Sequence, residues 1–364
     1  MKINISRVLC LVLVLAMMFT LAACGKTITP EESGAPAQSE DGFAAEPYIT
    51  LKWADHNSDG CETAKSMDVM AEAVYEATQG RVKIEMYHGG VLGSFADSIS
   101  MVENGICDIV WTSVSMFAGY FPYSEVFQLP MLGYETAQDY TDAWWDMMEA
   151  FPEIYEYEMG DYILWMAHAC PAASLGVNTS VNSLADLKGL NLRAAAGPVA
   201  SMATLWGANP VSMSPADMYL GMQKGVIDGY LFDGAGINTW GLAELSETIL
   251  DFGLSTSMAY IFINEDAWNK ITPEDQEIIM EVGRRVGSQT GATYMQNEAD
   301  TLFANFEGDY RFIGSDDPLY NEFREPLTSM YAEWVETMNA AGYTSVDAQE
   351  VLDFVLERAA AYAG

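Results

Sequence analysis

"ITLKWAD" (residues 49–55), followed after five residues by "CETAKSMDVMAEAVYEATQGRVKIEMYHGG" (residues 61–90), is the stretch that decides the class of fold. The first piece alternates apolar and polar residues, the period-two pattern of a strand with one face buried. In the second, Met67, Met70, Ala71, Val74 and Tyr75 recur at helical spacing. Gly80 stops that helix, because glycine enters the left-handed conformation without a Cβ clash. "RVKIEMY" then reads as a second strand. The unit is strand, helix, strand.

The scheme repeats outward. "LGSFADSISMVENGICDIVWTS" (residues 92–113) gives a helix, a stop at Gly105 and a strand from Ile106 to Thr112. "FPYSEVFQLPMLGY" (residues 121–134), with two prolines and many aromatics, reads as a loop packed over an interface. A helix follows in residues 136–158, then the apolar strands "YILWMAHAC" (residues 162–170) and "SLGVNTS" (residues 174–180). Leu190 to Leu192 read as a short strand ending at Arg193. Ser214 and Asp217 suit a helix start, Gly225 its end, and "VIDGYLF" (residues 226–232) the next strand. Near the C-terminal end Thr272 caps a very long helix, with Pro273 in its first turn and Glu274 and Asp275 favouring its dipole. Carried to Phe306, that helix measures about 50 Å at 1.5 Å per residue, enough to brace two domains. Regular alternation makes the class α/β with a largely parallel sheet. The 364 residues suit two domains.

The first 24 residues read differently. Lys2 and Arg7 precede an apolar run from Val8 to Ala23, which ends in "LAAC" (residues 21–24). This pattern marks an export signal over residues 1–23, and the small residues before Cys24 resemble a bacterial lipobox, which implies lipidation of Cys24. Residues 24–47 are polar, bear Pro, Gly and Ser, and read as a flexible tether. Beyond the signal no stretch is long and apolar enough to span a bilayer. The expected location is extracytoplasmic, on the outer face of the cell membrane.

Composition excludes some partners. The chain has 52 Asp and Glu against 16 Lys and Arg, and removal of the signal leaves 14 cations. Nucleic acid and anionic lipid surfaces are therefore unsuitable, and an anionic ligand needs a specific local cation. Cys61, Cys107 and Cys170 are widely spaced and form no CxxC, so neither zinc nor a redox pair is indicated. No phosphate-binding loop, HExxH or GxSxG occurs. His56, His88 and His168 form no pair, His168 at the end of an apolar strand suiting a core or pocket-lining position. No catalysis, cofactor or metal is expected.

Six stretches resemble the solute-binding proteins of TRAP (tripartite ATP-independent periplasmic) transporters, the DctP type: "TQGRVKIEMYHGGVLGS", "VENGICDIV", "VFQLPMLG", "NSLADLKGLNLR", "GANPVSMSPADMYLGMQKGVIDGY" and "INEDAWNKITPEDQEII", in that order. The resemblance implies a periplasmic-binding-protein-like clamp of two α/β lobes with crossing strands and one bracing helix. The lobes are expected at residues 48–170 with 259–298, and at residues 171–258 with 299–364. It also implies that Arg193 binds the ligand's carboxylate, a role its planar fork of donors suits, with the small residues Ala194 to Gly197 giving the ligand room.

The chain departs from that family's sugar-acid binders at two places. Ala173 stands where they carry a second arginine, and Phe232, followed by Asp233, where they carry an asparagine. This favours a small or apolar monocarboxylate over a polyhydroxylated acid; Asp233 facing an ammonium would instead suit a zwitterionic, amino-acid-like solute. Asn57 and Ser58 after the first strand, Trp111 and Ser113 at the end of another, and Met213, Phe232 and Trp240 as apolar walls complete the expected site, at strand ends where α/β sheets meet ligands. The partners implied are a small carboxylate, a TRAP permease and the membrane through the lipid. Rival readings are a sensor subunit with the same clamp, a binder for an ATP-driven transporter, and an isomerase using His168 or His56.

Overall fold

The computed structural model describes residues 43–362 apart from residue 45. The export signal, Cys24 and most of the tether lie outside the described residues. Two sheets form. The first has the order β2-β1-β3-β10-β4, from β1 (Ile49–Ala54), β2 (Val82–Tyr87), β3 (Ile109–Ser113), β4 (Ile163–Ala169) and β10 (Met258–Ile263). The second has the order β11-β9-β5-β8-β6-β7, from β5 (Ala173–Val177), β6 (Asn191–Arg193), β7 (Asn209–Val211), β8 (Gly229–Asp233), β9 (Thr248–Asp251) and β11 (Asp309–Phe312).

The opening strand–helix–strand unit is present. β1 and β2 pair in parallel with Ile49 opposite Val82, and helix Glu62–Ala77 buries Met67, Met70, Ala71 and Val74. Tyr75 is only half-buried and meets the ring of Phe43. The sheets are more mixed than a largely parallel reading expects. β10 runs antiparallel to β3 and β4, and β5 antiparallel to β8 and β9. The reason is topological: β5 and β10 each begin just after the chain has crossed from one sheet to the other, and a strand returning from outside the sheet need not obey the parallel crossover.

The two crossing segments lie side by side. Cys170 N donates to Ser257 O (2.9 Å), Ala173 N to Ser255 O (2.7 Å) and Leu254 N to Ala173 O (3.1 Å), forming a narrow ribbon between the lobes.

The long helix is present with one interruption. Thr272 caps Pro273–Val282 by accepting from Asp275 N, a π-turn occupies Gly283–Gly287, and the helix continues through Ser288–Asn305. Three glycines let it lie close on β4. A Cβ at Gly283 would stand 2.5 Å from Trp165, one at Gly287 1.9 Å from Met166 and one at Gly291 2.5 Å from His168. Its later turns pack on helix Gly234–Thr239, which follows β8, and so reach the second sheet.

The C-terminal part corrects one expectation. Residues 299–364 are expected in the second lobe, but helices Ser329–Ala341 and Ala348–Tyr362 lie against the first. Tyr134 Oη donates to Val355 O (2.6 Å), and Trp334 Nε1 donates to Pro122 O (3.3 Å). The physical cause is apolar burial: Trp334, Met338, Val351, Leu352 and Val355 are buried in one core with Tyr134, Tyr140 and Met147.

Candidate functional site: a cleft between the lobes

β6 is short because residues 194–197 leave the sheet at once, and Gly197, at φ 72°, turns the chain into helix Pro198–Leu205. Arg193 is thus the last residue of a strand held between β7 and β8. It is 5% exposed. Its Nε donates to Met213 O (3.3 Å), and its guanidinium carbon lies 4.8 Å from the centre of the Phe232 ring. Among the described residues no carboxylate lies within 4 Å of it, and its two terminal amines donate to none of them. Burial pushes its pKa down to about 10, and it remains a cation at neutral pH. Asp233 acts on it from beyond contact distance, but none of the described side chains takes up its terminal donors, which points to a further partner absent from the chain.

Arg193 opens on a cleft between the lobes whose exposed surface is mostly apolar. The second lobe contributes Arg193, Phe232, Asp233 and Trp240, and the first contributes His56, Asn57, Phe95, Trp111 and Ser113. Cys170, Pro171, Ala173 and Ser255 to Ser257 of the crossing ribbon line it as well. Aromatic faces dominate the first wall. His56 stacks on Phe95, centroids 3.7 Å apart and 10° from parallel, and meets Trp111 at 5.2 Å. Trp240 faces His56 from the opposite lobe at 6.4 Å.

Ionisation differs from residue to residue. Burial holds His56 down to about 3, so its ring is neutral, and its buried Nδ1 has no partner. His168 stands outside the cleft lining. Its Nε2 accepts from Trp111 Nε1 (3.2 Å), which leaves its Nδ1–H to face Ala169 O (3.2 Å), and burial pushes it down to about 4. It is a neutral brace for Trp111. Asp233 ends β8 and caps helix Gly234–Thr239, its Oδ1 accepting from Gly236 N (2.8 Å). Burial raises it to about 6. Asp55 Oδ1 accepts from Asn57 N (2.6 Å) and its Oδ2 meets His88 Nδ1 (2.5 Å), which fixes the loop presenting His56 and Asn57. The Asp55 hydrogen bond leads in raising His88 to about 9.

Eight expected residues therefore meet in one cleft: Asn57, Trp111, Ser113, Ala173, Arg193, Phe232, Asp233 and Trp240. Two expectations are corrected. Ser58 faces a neighbouring depression with Cys61 and Asn238, because the chain is already turning there: Ser58 O accepts from Cys61 N (3.2 Å) ahead of the next helix. Met213 gives the site only its backbone oxygen, while its side chain packs into the second lobe beside Gly221. His56, Phe95, Gln128, Met295 and Ser255 to Ser257 were not expected there.

The cleft can hold an anion by two free guanidinium N–H edges and cover an apolar body with rings. Among the described residues no group of three His, Cys, Asp or Glu gathers as for a metal ion, and no helix is long and apolar enough to cross a membrane.

A two-lobed α/β fold closing around one small cleft is the architecture of a solute-binding protein. The chain belongs to the DctP family, bacterial extracellular solute-binding protein family 7, whose profile matches residues 54–337. It is a solute-binding protein of the TRAP transporter type, and the family consists of transport proteins. Among curated relatives, it is 27% identical over 291 residues to the sialic acid-binding periplasmic protein SiaP of Vibrio cholerae, covering 78% of this chain and 88% of SiaP. Solved structures share the fold. A TRAP solute-binding protein from Rhodoferax ferrireducens, in complex with copurified benzoate, superposes with a TM-score of 0.77 at 22% identity, over 86% of this chain and 98% of that one. A marine metagenome TRAP protein specific for aromatic acid ligands, in complex with 3-hydroxybenzoate, gives 0.78 at 21% identity, over 88% of this chain and 100% of that one.

Proposed function

We propose that this protein captures a small organic monocarboxylate with a ring-sized apolar body and delivers it to the membrane permease of a TRAP transporter. One observation carries the reading: Arg193 is a buried cation with unused donors, facing a cleft whose walls are rings. A carboxylate satisfies those donors in pairs, with the geometry of an arginine fork, while Phe95, Trp111, Phe232 and Trp240 cover the rest of the ligand. Ala173 and Phe232 offer no hydrogen bond to sugar hydroxyls, which disfavours a sialic-acid-like ligand despite the relationship to SiaP. The aromatic acids bound by the two structural relatives have the chemistry this cleft suits.

The test is a thermal-shift screen of the purified protein with benzoate, 3-hydroxybenzoate, sialic acid and amino acids, beside Arg193→Ala. Ligand at 100 times its Kd adds about 2.7 kcal/mol of stability. Aryl carboxylates should stabilise the wild type and not the variant. Equal stabilisation of both, or a response to sialic acid alone, would sink the reading.

The proposal includes a lipid at Cys24 that keeps the binder at the outer membrane face. Cys24→Ala should abolish palmitate labelling and release the protein into the soluble fraction. Labelling that persists in the variant rejects this anchor.

A further inference from the structure

The cleft is lined by one cation and one carboxylate, Arg193 and Asp233, and by no other charged side chain among the described residues. In the free protein the two offset each other. Asp233 Oδ1 accepts from Gly236 N (2.8 Å), and the residue's own backbone N–H also supports the carboxylate. Three titratable groups face it. Arg193 lies on β6, Glu298 on the long helix packed against its own helix, and the neutral thiol of Cys170 on the crossing ribbon. Glu298 is buried, and its Oε1 accepts from Asn238 Nδ2 (2.9 Å) and Thr239 Oγ1 (3.1 Å), both on the helix Asp233 caps.

This inference rests on the carboxylate reading above. A ligand carboxylate on Arg193 puts a second anion beside the one guanidinium, in a cleft withdrawn from water. Two carboxylates sharing one site cannot both stay ionised cheaply, and the less solvated one takes a proton. We infer that capture of a carboxylate on Arg193 draws one proton from solvent onto Asp233, leaving an acid O–H on the cleft wall, and that release returns the proton to solvent. Burial already raises Asp233 to about 6 before any ligand arrives, so a modest further rise protonates it at neutral pH. One proton then restores the balance without any further group from the ligand. An ammonium on the ligand is the alternative, and the experiment separates the two. The device also sets specificity: a dicarboxylate brings a second charge for which the cleft has no further cation.

The test is titration calorimetry of the purified protein with benzoate and 3-hydroxybenzoate, in HEPES and in Tris, whose ionisation heats differ. At pH 7 the measured heat should depend on the buffer, corresponding to roughly half to one proton taken up per ligand. Wild-type affinity should weaken from pH 6 to pH 8 by up to about tenfold per unit. Asp233→Asn keeps the helix cap, since asparagine caps as well as aspartate. It should bind more tightly than wild type at pH 8, with no buffer dependence and a flat pH profile. Buffer-independent heats with a flat wild-type profile overturn the inference and leave the carboxylate reading standing. Amino acids that bind the wild type and are lost in Asp233→Asn overturn it in favour of an ammonium partner. Failure of every carboxylate to bind at any pH removes both.

Discussion

Arg81 and Arg193 are both arginines largely withdrawn from water, and their surroundings are opposite. Arg81 begins just before β2, and its guanidinium meets Asp275 at the start of the long helix, with Nη2 2.7 Å and Nε 3.1 Å from Oδ1. Tyr48 Oη (2.9 Å) and Thr272 Oγ1 (3.1 Å) donate to the other oxygen of that carboxylate. Every charge there has its partner inside the chain. Arg193 has a ring beneath it, one backbone oxygen on its Nε and no carboxylate in direct contact, Asp233 acting on it only from a distance. A completed pair holds an element in place, whereas Arg193 keeps donors unused, which is the basis of the proposed carboxylate contact.

The contrast predicts opposite responses to truncation. Arg193→Met should cost about 2–5 kcal/mol of affinity for an aryl carboxylate, some thirty- to several-thousand-fold in Kd. The ligand-free variant should melt close to wild type, because relief from burying a cation without a direct partner opposes the loss of its attraction to Asp233. A lowered melting temperature with unchanged Kd would place Arg193 with Arg81 as a structural residue. Arg81→Ala should do the reverse, destabilising by about 1–3 kcal/mol in urea unfolding with Kd within twofold of wild type. Burial alone would raise Asp275, but the hydrogen bonds from Arg81, Tyr48 and Thr272 outweigh it and hold the carboxyl below its ordinary value. Its contribution is therefore present above the usual carboxylate range and fades as pH falls below about 4.

Glu158 extends the comparison to an anion with no cation. It is buried and accepts from Tyr123 N (2.6 Å), Ser124 N (3.0 Å) and Ser124 Oγ (2.5 Å). Burial raises it to about 7 despite those bonds. A carboxyl whose folded value lies above its unfolded one stabilises fully at pH below the unfolded value and loses that stabilisation as pH rises through the folded value. Wild-type stability should thus fall between pH 5 and pH 8 by on the order of 2 kcal/mol from this group. Glu158→Gln should flatten part of that slope in denaturant titrations at several pH values; an unchanged slope would show that Glu158 is not its source. The smallest effect concerns the floor beneath Arg193. Phe232→Leu removes the cation–ring contact and should weaken affinity by about 0.5–2 kcal/mol. Loss on the scale of Arg193→Met would mean that the ring, and not the fork, is the main anchor.

The sequence exposed the anchor more readily than the walls. Arg193 was legible because a strand, a cation and a run of small residues follow one another directly, and because the resemblance supplied a role. Trp111, Ser113, Phe232 and Asp233 were legible as strand ends. Ser58 was wrongly included because, one residue past Asn57, the chain had already turned away. His56 and Phe95 were missed because their meaning lies in stacking on each other across 39 residues of chain, which no local pattern records. The ribbon residues Ser255 to Ser257 were missed because the sheets, being mixed, bring the β9–β10 connection against the β4–β5 connection. The π-turn escaped because its cause is the fit of Gly283 and Gly287 onto Trp165 and Met166, a tertiary matter.

That ribbon has a mechanical consequence. Residues 170–173 and 254–257 join the two sheets, and six of them, Cys170, Pro171, Ala173 and Ser255 to Ser257, line the cleft. A solute bound as proposed would therefore sit at the fulcrum of a lever whose arms are the lobes. Contacts made there have little travel of their own, yet any change of angle they impose grows in proportion to distance along each arm. The widest displacement falls at the outer rims, the part of the molecule farthest from the solute.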